Sequence, residues 1–291
     1  MIQKLSAKIE NIDSYKLALQ LTLLNFILKP PGSWEIRAPV LILAVLGLII
    51  TNSIRNPFFW LFLTGLTLTW LIIDWPLSDN HAYLLFIWCF AIFLSAYKKD
   101  KSILGKNARI MIGCIFLFAF IWKAFLSPDF LDGRFLSINM IEDPRFSEFI
   151  QLSCDISSDD LTDIRQYVKQ HVDGNLVFED EFIFNTDCIN KVSILLTYYS
   201  LTIELIIALL FLLPRKYAVA RYRDYFLILF CVSIYSVAAV EGFGWLLIAM
   251  GISQSGDTKR VKLLYLLSYL VVLMYGEIPV LNIILSILRK S

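Results

Sequence analysis

Residues 192–213 read VSILLTYYSLTIELIIALLFLL. The stretch is apolar nearly throughout, and a helix needs about 20 such residues to cross a hydrocarbon core of roughly 30 Å. Backbone polar groups in hydrocarbon must be satisfied within the segment, so a run of this kind is read as a helix. Working outward, similar runs occur near 38–52, 57–74, 80–97, 109–127, 224–250 and 261–286. The segment 16–29, KLALQLTLLNFILK, is shorter and holds Gln20 and Asn25. It is read either as a tilted span or as a helix lying in the interface. It has no small-residue cleavage site, so it is not read as a signal peptide. The expected fold is therefore an all-α polytopic membrane protein, a bundle of seven or eight transmembrane helices with a small extracytoplasmic cap. Its parts are N-terminal helices over 1–127, an acidic cap over 128–190 and C-terminal helices over 191–291.

Composition agrees. The chain is 58% apolar with a mean hydropathy of +0.67, more than a soluble domain needs to fill its core. Aromatics make up 14%, and Trp and Tyr often flank the apolar runs, where a bilayer interface holds them. A net charge of +1 argues against a nucleic-acid partner. The expected surroundings are a lipid bilayer, in a bacterial plasma membrane.

Lys and Arg in short links mark the cytoplasmic side. The link 97–109 carries Lys98, Lys99, Lys101, Lys106 and Arg109, and the link 214–223 carries Arg215, Lys216, Arg221 and Arg223. Both are expected inside, with 128–190 and the Asp74-Trp75-Pro76 turn outside. The C-terminal Arg289 and Lys290 then fall inside, and Lys259, Arg260 and Lys262 are left outside, against the rule.

The polar loop contains LTDIRQYVKQHV, which places Leu161, Ile164, Val168 and Val172 on one helical stripe. Its acids outnumber its bases, which suits a solvated cap or a docking surface for a basic peptide or a cation. Cys154 and Cys188 are the two cysteines of that loop; outside the cell they are expected to form a disulfide. Cys89, Cys114 and Cys231 lie in apolar runs as packing residues. There is no CxxC and there are only two His, so no metal site is expected.

Ionisable groups inside spans are costly and mark candidate sites. Lys123 lies about a turn before Pro128, and it either snorkels to the outer interface or serves inside the bundle as a base. Glu204 is too short and too deep to snorkel; it must be protonated, paired or facing a polar cavity, and it is expected to stabilise helix packing. Glu241 is followed by Gly242 and Gly244, which permit a close helix approach or a local break. Counting about 1.5 Å per residue from Arg109 and Asp224 puts Lys123 and Glu241 at similar depth. These two, with His81, are therefore expected to converge on one outer cavity, with Glu204 separate and about 10–15 Å deeper. His81 follows Asp79 and Asn80 at a helix mouth, where capping or a proton shuttle would both suit. Glu277, before Pro279, is read as a polar residue at a kink near the inner end.

Two segments carry a family resemblance. SDNHAYLLFIWCFAIFLSAYKKD (78–100) resembles the Asn-His-x-Tyr-Leu motif of the horizontally transferred transmembrane (HTTM) family, which includes the vitamin K-dependent gamma-glutamyl carboxylases. IFLFAFIWKAFLSPDFLDGRFL (115–136) is similar to that family's later motif: an aromatic helix, a Lys, then a Pro-Asp stretch ending in Gly. LTIELIIALLFLLP (201–214) resembles the Glu-bearing helix that follows in this family and in DoxX-like proteins. The family's Phe-His pair has no counterpart in FLILFCVSIYS (226–236), and the resemblance covers about residues 40–250. It implies Lys123 as base toward a reduced quinone, His81 as its active-site neighbour, and a carboxylase-like or quinone-dependent enzyme. Asn80 and Tyr83 of the first motif, with Trp122 and Trp245 beside the buried charges, are candidate substrate-binding residues. The alternative is a non-enzymatic scaffold or transport accessory, DoxX-like, whose acidic loop binds an exported peptide. A proton-coupled transporter using Glu204 and Glu241 is a third reading, disfavoured because no repeated halves are visible.

Overall fold

The computed structural model describes residues 13–75, 78, 80–173, 187–238, 240, 242–256 and 258–277, apart from the side chains of 167–173 and 276–277. Among the described residues every regular element is helical. In chain order the first five helices are α1 (Ser14–Leu28), α2 (Trp34–Ile49), α3 (Pro57–Ile73), α4 (Asn80–Lys98) and α5 (Lys101–Ile121). A π-helical turn, Trp122–Leu126, extends α5. The cap follows as α6 (Pro128–Leu131), α7 (Arg134–Glu142), α8 (Ser147–Cys154) and α9 (Ser158–Asp173). The chain re-enters the bundle through α10 (Asp187–Leu212), α11 (Arg223–Val237), α12 (Phe243–Ser255) and α13 (Lys259–Glu277). Three helices are long and apolar enough to cross a membrane: Asn80–Lys98, Lys101–Leu126 and Asp187–Leu212.

The bundle has a basic end and a cap end. At the basic end Lys101 pairs with Asp13, and Ser14 Oγ donates to the Gly256 carbonyl at 2.6 Å. That contact joins the start of α1 to the end of α12, so the two helices run antiparallel. Segment 16–29 is thus a bundle helix. Leu17, Ala18, Leu19, Leu23 and Phe26 are buried, and Thr22 Oγ1 accepts from Trp88 Nε1 at 2.9 Å. Gln20 and Asn25, the residues that made it look interfacial, sit on a helix packed into the bundle, with Asn25 itself buried.

The expected single span over 224–250 is two helices. Gln254 Nε2, at the end of α12, donates to Asp224 Oδ1, at the start of α11. The chain therefore reverses between Val237 and Phe243. Gly242 makes the reversal possible with φ +80°, a left-handed conformation that suits glycine. Gly244 supplies the close approach: an added Cβ would lie 2.3 Å from Tyr235 Cζ. Tyr235 is itself 2% exposed and has no room to withdraw. We expect Gly244→Ala to cost about 1–3 kcal/mol by overpacking, read as a fall in thermal midpoint in detergent. An unchanged midpoint would refute the α11–α12 packing.

This reversal corrects the charge scheme. Tyr265, on α13, donates its hydroxyl to Asp224 Oδ1 at 2.8 Å. The start of α13 therefore lies at the same end as the 214–223 link, and Lys259, Arg260 and Lys262 join the other basic residues instead of opposing them. Glu277 closes a helix directed toward the cap end rather than the basic end; its side chain, like Arg289 and Lys290, lies outside the described residues. The link at 97–109 is also shorter than expected. Asp100 accepts from the Ser102 amide at 2.8 Å as an N-cap, so α5 begins at Lys101 and its basic first turns are helical, with Leu104 and Ala108 buried in the bundle core.

The cap has its own small core of Met140, Ile150, Leu161 and Ile189. Leu161 and Ile164 are buried, as the stripe on α9 predicts; the Val168 and Val172 side chains lie outside the described residues. Arg165 ties α9 down by donating to the Ile141 carbonyl at 2.6 Å and to Ser147 Oγ at 2.7 Å. The expected disulfide is formed: Cys154 and Cys188 are bonded with their Cα atoms 5.7 Å apart.

Candidate functional site

The π turn presents Lys123 to α10. Its Nζ lies 2.5 Å from Glu204 Oε1 and 4.9 Å from the centroid of the Phe130 ring. The Glu204 side chain is 6% exposed and that of Lys123 is 19% exposed, so the lysine is drawn inward and does not snorkel. Glu204 Oε2 is buried and has no hydrogen-bond partner among the described residues. The expectation that Glu204 sits apart from Lys123 is therefore overturned.

The reason is an offset between helices. Leu212, the last residue of α10, packs on Gly113, partway along α5. From that crossing Lys123 is about 15 Å up α5 and Glu204 about 12 Å up α10, so the two are level. Counting from the basic links assumed that both helices end at the same height. In fact α5 overhangs α10 by several turns.

His81 lies at a different place at the cap end. It lines a cavity of about 180 Å³ with Asn25 and Lys29 of α1 and its C-terminal edge, Trp70 of α3, and Gly242 and Leu246 at the start of α12. Asn25 Oδ1 is buried with no partner among the described residues. Trp70 Nε1 donates to Asp74 Oδ2 at 2.5 Å. An open, almost wholly apolar groove of about 430 Å³ runs along α3 and α4, lined by Leu68, Leu71, Ile72, Trp75, Tyr83 and Phe86. Trp75 and Tyr83 meet edge to face there, 6.1 Å between centroids.

The candidate set thus divides. Lys123 and Glu204 form one pair; His81 lines the cavity and Tyr83 the groove. Asn80 opens α4 and is exposed. Trp122 is partly exposed with its edge toward Phe135, 6.2 Å between centroids. Trp245 belongs to the core and stacks on Tyr269 at 5.9 Å. Glu241 lies outside the described residues, so its pairing with Lys123 and its place in an outer cavity do too. Sequence reasoning missed Lys29 and Trp70 as lining residues. Asn25 was visible as a polar residue in an apolar helix, but it was taken as a mark against spanning rather than as a cavity group.

No protein-family model matches the chain, and neither a curated protein nor a solved structure matches it.

Proposed function

We propose that this chain is an HTTM-type integral membrane enzyme acting on a lipid-phase amphiphile such as a reduced quinone. The observation that carries the reading is the buried Lys123–Glu204 pair on a π-helical turn, with one carboxylate oxygen left open. Such turns occur frequently at functional sites, and buried intramembrane charge is costly to keep without a use. A substrate hydroxyl reaching the pair would give its proton to the open Glu204 carboxylate oxygen, and the Lys123 ammonium would hold the resulting oxyanion. The Asn25–His81 cavity lies apart from the pair, so it would hold a polar part of the amphiphile other than the reacting hydroxyl, with the apolar tail along the groove beside Tyr83. Lipid extraction of the purified protein followed by mass spectrometry tests this. A quinone is expected to co-purify with the wild type and to be depleted in His81→Ala. Extracts with no amphiphile enriched over a control membrane protein would overturn the reading.

Among the described residues the nine bundle helices, α1 to α5 and α10 to α13, alternate in direction between the basic end and the cap end; Asn80–Lys98, Lys101–Leu126 and Asp187–Leu212 would cross the bilayer outright, with the shorter helices packed around them. The basic end would be cytoplasmic and the cap extracytoplasmic. A single cysteine at Thr258 is expected to react with an impermeant reagent only after permeabilisation, and one at Ser157 without it. The reverse pattern would invert the topology.

A second reading has its own support. Asp159, Asp160 and Asp163 are exposed along a cap locked by the disulfide, which would suit a scaffold docking a basic exported peptide. Tolerance of Lys123→Ala together with loss of function on trimming the cap would favour it.

A further inference from the structure

The basic end holds a cavity that the reading above does not use. It measures about 410 Å³ and lies where α1, α4, α5 and the 53–55 turn meet. Four cations line it, Lys16, Arg55, Lys99 and Lys101, against one carboxylate, Asp13. Asp13 is already engaged by Lys101, so among the described residues of the lining the remaining positive charge has no counter-charge. The floor is apolar, made by Leu19, Ile54 and Ala96.

Positive charge at this end follows from topology alone and would not by itself indicate a ligand. A chamber with an apolar floor beneath a cationic rim does not follow from topology. Its parts are also held firmly. The tight 99–100 link is fixed by Ser95 Oγ donating to the Asp100 carbonyl at 2.9 Å and by the Asp100 amide donating to the Ser95 carbonyl at 3.1 Å. This holds the turn that carries Lys99 and Lys101, both of which line the cavity. Trp60 Nε1 donates to the Ile54 carbonyl at 2.9 Å, which fixes the neighbouring turn and with it Arg55. Next to that turn the surface is apolar and open: Ile50 is 52% and Phe58 70% exposed.

We infer that this cavity binds a phosphate-bearing anion, with the headgroup of an anionic phospholipid as the source. The phosphate would meet Lys16, Arg55 and Lys99, the glycerol region would lie on Leu19 and Ile54, and the acyl chains would leave over Ile50 and Phe58. Basic pockets between membrane helices at the cytoplasmic side suit this chemistry, because each nearby Lys or Arg strengthens anionic-lipid binding about fivefold. A free phosphate would use the rim alone and leave the floor and the apolar exit unoccupied.

The test uses the full chain in a neutral detergent, titrated separately with phosphatidylglycerol, phosphatidylcholine and inorganic phosphate, with binding followed by native mass spectrometry. Phosphatidylglycerol is expected to bind at least about tenfold tighter than phosphatidylcholine, and the preference to weaken with salt. Lys16→Gln/Arg55→Gln/Lys99→Gln should lose about a hundredfold in phosphatidylglycerol affinity. Lys216→Gln/Arg221→Gln, which removes two charges at the same end but outside the cavity, should retain it. Inorganic phosphate displacing the lipid at equal concentration would keep the anion site and assign it to a soluble phosphate. Equal binding of the two lipids, an unaffected triple variant, or an equal loss in the control variant would each overturn the inference. If the triple variant does not fold, Arg55→Gln alone, at an exposed position, is expected to lose about fivefold, and no loss there would overturn it too.

Discussion

Lys123→Met should destabilise the bundle by about 3–5 kcal/mol, because it strands Glu204 as a buried carboxylate without its cation. Glu204 is 4% exposed, and its second oxygen already lacks a partner among the described residues. No other cation among the described residues forms an ion pair with it. Glu204→Gln should cost less, since the amide still accepts from the ammonium and carries no charge to strand. The double variant Lys123→Met/Glu204→Leu should recover most of the loss, because two apolar side chains of similar volume often replace a buried pair at little cost. The measurement is a double-mutant cycle on unfolding in mixed micelles, made of Lys123→Met, Glu204→Leu and their combination. Strict additivity of the two single losses would mean that the pair is not coupled, and the α5–α10 geometry would be wrong. The cycle also bears on function. If the double variant is as stable as the wild type yet no longer processes or retains an amphiphile, the pair is kept for chemistry rather than for packing.

The pair illustrates what was legible in the chain and what was not. That Glu204 must be protonated, paired or set in a polar cavity, and that Lys123 was a candidate site, followed from the cost of charge in an apolar run. Which group pairs with which did not follow, because helical rise gives height along one helix and not the offset between two. That offset is set where Leu212 packs on Gly113, a contact between residues about a hundred positions apart. The break after Val237 shows a similar limit. Gly242 and Gly244 were recognisable as permitting either a break or a close approach, and both occur. Hydropathy smoothed over the reversal because the residues on either side are equally apolar. One sign of it stood in the sequence: Lys259, Arg260 and Lys262 fell on the wrong side of the scheme, and an extra reversal is what moves them. The apolar periodicity of α9 and the cysteine pair were readable because each depends on neighbours in sequence or on a count of one residue type. The His81 cavity draws on α1, α3, α4 and α12, and no local pattern announces such an assembly.

Cys154→Ser/Cys188→Ser should loosen the cap selectively. The bond closes a segment with a sequence separation of 34, and removing a cross-link of that length releases about 3–4 kcal/mol of constraint on the unfolded cap. The cap has little else to resist with. Its buried cluster is four residues, Met140, Ile150, Leu161 and Ile189, and the last of these belongs to α10 rather than to the cap. Cys188 is likewise on the first turn of α10, so the disulfide fastens α8 to a helix that the bundle holds rigid. Without it, the ties at that junction among the described residues include the Ser137–Asn190 hydrogen bond at 2.7 Å, the Ser193 Oγ contact with Met140 Sδ at 3.3 Å, the packing of Ile189 and the contacts of Gly133 with Ile194. A loss of this size raises the population of the opened cap by about two orders of magnitude. Limited proteolysis of the intact protein reads that population directly while opening is fast relative to cleavage. The double variant should be cut in the cap about a hundredfold faster than the wild type, and a reductant added to the wild type should reproduce the effect. The thermal midpoint of the bundle should stay close to the wild-type value, since the core helices keep their contacts. Equal cleavage rates with and without the bond would mean that packing alone holds the cap. A fall in both readouts together would mean that cap and bundle unfold as one unit, and that the Lys123–Glu204 pair beneath the cap depends on it for shelter from water.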